Sequence, residues 1–188
     1  MSRTTLSVDS ISPPGFNAPA AGFEQPFAML EACHERIERT LRLLLKLVDH
    51  VATRGVDAQA RSAASDVLRY FNIAAPLHHQ DEELHVFPQL IARGDVALSA
   101  QVRTMQLDHR QMEKLWSELR PCLVALTTVD GAEIDVLHFG SMSRAFANVY
   151  ASHLQTEEEV LFPAAAKLKT LYQLQDMGDE MRRRRTTS

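Results

Sequence analysis

Long apolar runs are missing from these 188 residues, and no stretch approaches the ~18 apolar residues of a membrane span. Cysteine is nearly absent. Cys33 and Cys122 are the only two, too few for a disulfide framework or an all-thiolate metal site. There is no basic excess either: a net charge of −4 and a pI near 6.1 leave no field for nucleic acid or anionic lipid, so neither nucleic acid nor membrane is expected as a partner. The one cationic run, Arg182-Arg183-Arg184-Arg185, reads as a solvated helix end placed favourably on the macrodipole. Leu6 to Pro14 lacks the apolar core of a signal peptide, which points to the cytoplasm, with Cys33 and Cys122 reduced and Cys33 a core thiol. A content of 45% hydrophobic and 6% aromatic residues suits one well-packed domain and no second.

Histidine is well represented, with eight residues, and it is patterned. His34, His78, Glu82, Phe87 and Pro88 recur 75 residues later as His109, His153, Glu157, Phe162 and Pro163. Phe71 and Phe146 match at the same shift. The longer matched block runs from His78 to Pro88 in one half and from His153 to Pro163 in the other. Each half reads as one helical hairpin.

Turn signals at Gly55-Val56-Asp57, Gly94-Asp95 and Asp130-Gly131 mark where the chain reverses. With ~1.5 Å of rise per residue, counting back from each reversal brings His34, His78, His109 and His153 to one level of an antiparallel up-down bundle. Glu82 follows His78 by four residues and Glu157 follows His153 by four, so each pair shares a helix face. Six candidate ligands therefore converge. Imidazoles mixed with carboxylates suit iron, manganese or zinc better than copper(I) or an iron–sulfur cluster, and six protein ligands exceed one tetrahedral zinc. Two metals bridged by the two Glu carboxylates is the economical assignment, as in other helical bundles with Glu/His di-iron sites.

The four segments Cys33-His34-Glu35-Arg36, His78 to Pro88, Asp108-His109-Arg110 and His153 to Pro163 resemble, in order, the motifs of the hemerythrin-like (HHE) cation-binding domains. The resemblance runs from about residue 13 to 182. It implies a four-helix bundle around a non-heme di-iron centre held by His34, His78, Glu82, His109, His153 and Glu157. Oxygen-carrying hemerythrins have a second His four residues after the third-helix His, and an Asp on the fourth helix. This chain has Glu113 and Glu157 there. Exchanging a neutral imidazole for an anion favours the ferric state and disfavours reversible oxygen binding. The implied function is reaction with, or sensing of, O2, peroxide or NO rather than O2 transport. The alternatives are an iron- or oxygen-responsive regulatory module without turnover and a zinc-binding structural bundle.

The expected organisation is all-α: an N-terminal arm over 1–25, broken by Pro13-Pro14-Gly15 and Pro19, a bundle over 26–170, and a C-terminal helix with a basic tail over 171–188. The helices are expected at 26–53, 58–92, 96–127, 133–168 and 171–184. Glu38 and Glu113, each four residues after a candidate ligand, are candidates to complete coordination, to bridge protons, or only to salt-bridge Arg42 and Lys114. Tyr150, three residues before His153, is a candidate to hydrogen-bond a ligand. His79 and His85 read as outer-shell or exposed groups, and Phe16, Phe23 and Phe27 as a lid over the metal level, with packing outside the bundle as its rival. Pro76, Pro88 and Pro163 either bend their helices beside the ligands, the repeated Phe-Pro giving the same bend in both halves, or only shape the helix exits, and they are given no chemical role.

Overall fold

A computed structural model of the chain describes residues 22–128 and 134–186. The arm before residue 22, with Phe16, and the turn at Asp130-Gly131 lie outside the described residues. Four helical rods run up and down, and a fifth helix closes one pole. The first rod is α1 (Pro26–Arg54), opened by a proline whose missing N–H costs nothing at that position. It ends at Gly55, whose φ of +76° is tolerated by glycine far better than by other residues. The second rod comprises α2 (Ala58–Arg69), a π-helical turn (Tyr70–Ala74), α3 (Ala75–His85) and α4 (Phe87–Ala92). Asp57 caps it by accepting from the Ala60 N–H at 2.8 Å.

Gly94, also at φ +76°, turns the chain into the third rod, α5 (Val96–Thr128). Asp95 accepts from the N–H groups of Ala97 and Leu98 there. The fourth rod is α6 (Val136–Thr156), a second π turn (Glu157–Leu161) and α7 (Phe162–Ala166). Its cap is Asp135, accepting from the His138 N–H. The final helix, α8 (Leu171–Thr186), starts with a reciprocal cap: Thr170 Oγ1 accepts from the Gln173 N–H, and Gln173 Oε1 accepts from the Thr170 N–H.

Each proline in rods two and four sits two residues beyond an irregularity. The π turns end at Ala74 and Leu161, before Pro76 and Pro163, and Val86, the break between α3 and α4, precedes Pro88. A proline supplies no N–H and its ring crowds the carbonyl four residues back. The wider turn takes up that conflict without ending the rod. The two halves differ here: the matched Phe-Pro pairs follow a simple break in one and a π turn in the other.

Two apolar clusters fill the interior. One is built around Leu44, Phe71, Leu119, Phe139 and Phe146. The other, around Leu30, Phe87, Leu90, Phe162, Met177 and Met181, lies at the pole covered by α8. His34 falls between Leu30 and Ile37 on the buried stripe of α1, and the His/Glu layer separates the clusters. Among the described residues, no helix is long and apolar enough to cross a membrane.

Candidate metal centre

The four imidazoles and two carboxylates that the repeat singles out meet at this layer, all of them buried. Their ligand atoms form two overlapping groups, His34, His78, Glu82 and Glu157 in one, and Glu82, His109, His153 and Glu157 in the other. Within each group the atoms lie within 4.8 Å of one another. Both carboxylates belong to both groups. Glu82 turns Oε1 toward His78 Nε2 (3.0 Å) and Oε2 toward His109 Nε2 (3.3 Å). Glu157 turns Oε1 toward His153 Nε2 (3.1 Å) and Oε2 toward His34 Nε2 (3.3 Å). Each acid thus divides its two oxygens between two imidazole pairs.

The local cause is the four-residue spacing on α3 and along α6 into the second π turn. His153 and Glu157 remain in α-helical register because the Glu157 N–H still donates to the His153 carbonyl. Glu157 then opens the π turn.

The chemistry of this layer fits cations. All four carboxylate oxygens of Glu82 and Glu157, both ring nitrogens of His78 and Nε2 of His34 are buried without a hydrogen-bond partner, a cluster of orphans that a folded protein does not tolerate without compensation. His109 Nε2 and His153 Nε2 also face each other at 3.2 Å. In the metal-free arrangement protons take the cation's place. Burial opposes charging His34, yet Glu157 and Glu82 outweigh it and raise the imidazole to about 9. Burial likewise opposes charge on His78 and His153, whose pKa values nevertheless rise, through Glu82 and Cys33 for the first and Glu157 for the second. The Glu82 carboxyl, pushed up by burial, is held well below its usual range by His78, His109 and His34.

The outer nitrogens of three of these rings are held by carboxylates, two of them from the opposite half of the molecule. His34 Nδ1 pairs with Glu158 Oε1 at 2.8 Å, and His109 Nδ1 with Glu83 Oε1 at 3.1 Å. His153 Nδ1 meets Asp108 Oδ2 at 3.3 Å. Such carboxylates fix the ring orientation and raise its basicity. Glu83 and Glu158 are themselves a pair at the 75-residue offset, so the repeat contained the signal. Cys33 is the counterpart of Asp108 at that offset, and its thiol interacts with His78. Burial raises the Cys33 thiol, but the adjacent His78 imidazole outweighs it and brings it below its usual value.

The repeated phenylalanines cover the layer: Phe162 stacks on His34 with centroids 5.2 Å apart, and Phe87 stacks on His109 at 5.6 Å.

Other sequence-based expectations are redistributed. Glu38 is exposed and pairs with Arg42 across one helical turn at 3.2 Å, because four residues on from His34 its side chain has rotated off the buried stripe. Glu113 is exposed at the mouth of a cavity and takes no part in the cluster. Neither joins the two His/Glu groups.

Tyr150 is buried beside the layer, its hydroxyl 3.5 Å from His79 Nε2. His79 is half-buried and stacks on His109 with centroids 4.1 Å apart. Burial, reinforced by the His109 charge, holds its pKa well below the usual value, so it is neutral. His85 pairs with Glu180 at 2.6 Å. Phe27 packs on Phe162, whereas Phe23 lies beneath the guanidinium groups of Arg182 and Arg185.

The cationic run is divided: Arg182 and Arg183 are exposed, while the other two turn inward. Arg184 and Arg185 both grip Asp81, a fully buried carboxylate next in sequence to Glu82. Arg185 does so with a two-nitrogen fork, at 2.6 Å to Oδ2 and 3.2 Å to Oδ1. Arg184 adds a bond to Glu180. The solvated-end reading holds for Arg182 and Arg183 but not for Arg184 and Arg185, because α8 folds back on α3 and α1 and carries those two onto the turn that bears Glu82.

The model of the hemerythrin HHE cation-binding domain matches residues 25–165. A protein of Haemophilus influenzae, described only as uncharacterized, is 33% identical over 167 residues, covering 88% of this chain and 92% of that protein.

Proposed function

The chain belongs to the hemerythrin HHE cation-binding family, and from that premise we propose a dinuclear non-heme iron protein that reacts with or senses O2, peroxide or NO and does not transport O2. The observation that supports this most directly is the division of both Glu82 and Glu157 between two imidazole pairs, the arrangement two carboxylate-bridged cations require. His34 and His78 would hold one ion, His109 and His153 the other. Two irons there would supply redox equivalents to a small oxidant. A mixed nitrogen and oxygen donor set also admits manganese or zinc.

The residues around the layer have defined tasks in this reading. Phe87 and Phe162 exclude water from the His109 and His34 sides. Glu83, Glu158 and Asp108 hold three imidazoles in fixed orientation. Tyr150 keeps its phenolic proton, since burial raises its pKa well above the usual value. Glu113 leaves the His109 side without the additional protein ligand that oxygen carriers place there, which favours an open position for an oxidant or gas. We assign the protein to the cytoplasm, where free thiols such as Cys33 and Cys122 persist.

The test is metal analysis of anaerobically purified protein, with optical spectra before and after peroxide. About two irons per chain and a near-ultraviolet absorption of an oxo-bridged ferric pair are expected. Replacing His78 and His153 by Ala should lower bound iron by at least about one equivalent per chain. Unchanged stoichiometry would remove the assignment.

A further inference from the structure

A cavity of about 210 Å³ lies between the second, third and fourth rods, beside the His109 half of the metal layer. Phe71, Trp116, Phe146 and Tyr150 contribute rings to its lining, as do the stacked imidazoles of His79 and His109, and Gln80, Glu83 and Gln106 add polar groups. The volume decides what class of molecule it suits. A water takes about 30 Å³ of liquid volume, and an apolar cavity of about 150 Å³ is enough for benzene. O2, peroxide or NO would leave most of this space unfilled, whereas a single substituted ring fills it.

The polar groups narrow the class further. Tyr150 is 2% exposed, and its hydroxyl lies 3.5 Å from His79 Nε2, well beyond the ~2.7–2.8 Å of a formed hydroxyl hydrogen bond. The buried phenolic donor on the cavity wall thus makes only a long hydrogen bond, and a better-placed acceptor would gain the difference. Charge selects against ions. Glu83 is engaged by His109 and Gln106, and at the mouth the exposed Arg110 and Glu113 offset each other.

We propose that this cavity binds a small, uncharged, planar aromatic molecule with one hydrogen-bond acceptor, which receives the Tyr150 hydroxyl proton in a hydrogen bond and packs against Trp116. Flat rings gain offset and edge contacts from such walls. The bound molecule would lie against His109, one imidazole removed from the layer where the irons are proposed. This site goes beyond the proposed oxidant chemistry, and its existence does not depend on that chemistry.

Trp116 is the chain's single tryptophan, so its fluorescence, excited on the red edge where phenol is transparent, reports the cavity directly. The experiment titrates purified protein with phenol, toluene, cyclohexanol and benzoate, then repeats it on Tyr150→Phe. Phenol should saturate the signal, with toluene weaker and cyclohexanol and benzoate weaker still. Tyr150→Phe should loosen phenol about fivefold to tenfold, the span of one neutral hydrogen bond, and leave toluene unchanged. No saturable change with phenol, equal binding of phenol and toluene by the natural chain, or cyclohexanol or benzoate binding as tightly as phenol would each overturn the proposal. The comparison of ligands on the natural chain stands even if the variant folds poorly. Because the readout is Trp116, a negative result leaves the iron assignment intact, and a protein that binds phenol but no iron would leave this cavity intact.

Discussion

Replacing Arg184 and Arg185 together by Ala should destabilise the protein far more than a surface substitution does. Asp81 is fully buried, and the two arginines keep about one-fifth of their side-chain surface exposed (19% and 20%). Their removal strands a carboxylate in the interior. Breaking a buried pair in this way costs about 3–5 kcal/mol. At roughly 2–4 °C per kcal/mol for a chain of this size, the melting temperature should fall by about 6–20 °C. A second change separates stranded charge from lost packing. Asp81→Asn in the same background replaces the charge with a neutral amide and should recover about 1–2 kcal/mol, although Asp81→Asn alone destabilises the natural chain. The assay is a set of thermal and urea melts on the four proteins, read by circular dichroism after metal is removed with a chelator. A loss under about 1 kcal/mol, or effects of the two changes that add within about 0.5 kcal/mol, would refute the clamp.

The metal-free protein should also respond to pH in a particular direction. The His34 pKa is raised to about 9 from an ordinary 6.5, so its contribution to stability is complete below about pH 6.5 and is lost as the pH rises through about 9. Metal uptake should show the reverse trend, strengthening over that window and releasing protons that a weakly buffered titration can count; pH-independent uptake would contradict it. At the α8 pole, Gly178→Ala would place a Cβ 1.8 Å from the Phe23 carbonyl oxygen, an overpacking that should cost about 1–3 kcal/mol. A melt unchanged by that substitution would show that Phe23 does not seat against α8 in solution.

The ligand layer was legible because repetition and helical spacing both act locally. His78 and Glu82 share a face whatever the rest of the chain does, and the offset of 75 residues points to the partners in the other half. The carboxylates behind the rings were legible in the same way, since Glu83 and Glu158 stand at that offset.

Asp81 was hidden for the opposite reason. Its counterpart at the offset is Thr156, it sits inside an acidic stretch that resembles any solvated helix face, and its arginine partners are more than a hundred residues away. Glu38 and Glu113 show the limit of spacing arguments: His34 and His109 stand near the edge of the buried stripes of their helices, so the residue four further on lies past that edge. The cavity had no sequence signature, because its walls come from separate rods and its volume is set by how those rods pack.

The contacts across the layer are reciprocal. Glu158 of the second half serves His34 of the first, Glu83 of the first serves His109 of the second, and the 3.3 Å approaches of Glu157 to His34 and of Glu82 to His109 mirror one another. Neither hairpin holds a complete set, but two copies of one hairpin about a two-fold axis would supply every one of these contacts, as an isologous dimer does. Head-to-tail duplication of an ancestral self-pairing hairpin accounts for that pattern, and fusion then freed the halves to diverge. Cys33 opposite Asp108 is where they have done so beside the site: one imidazole is backed by a thiol and its counterpart by a carboxylate, a difference that two identical chains could not have held.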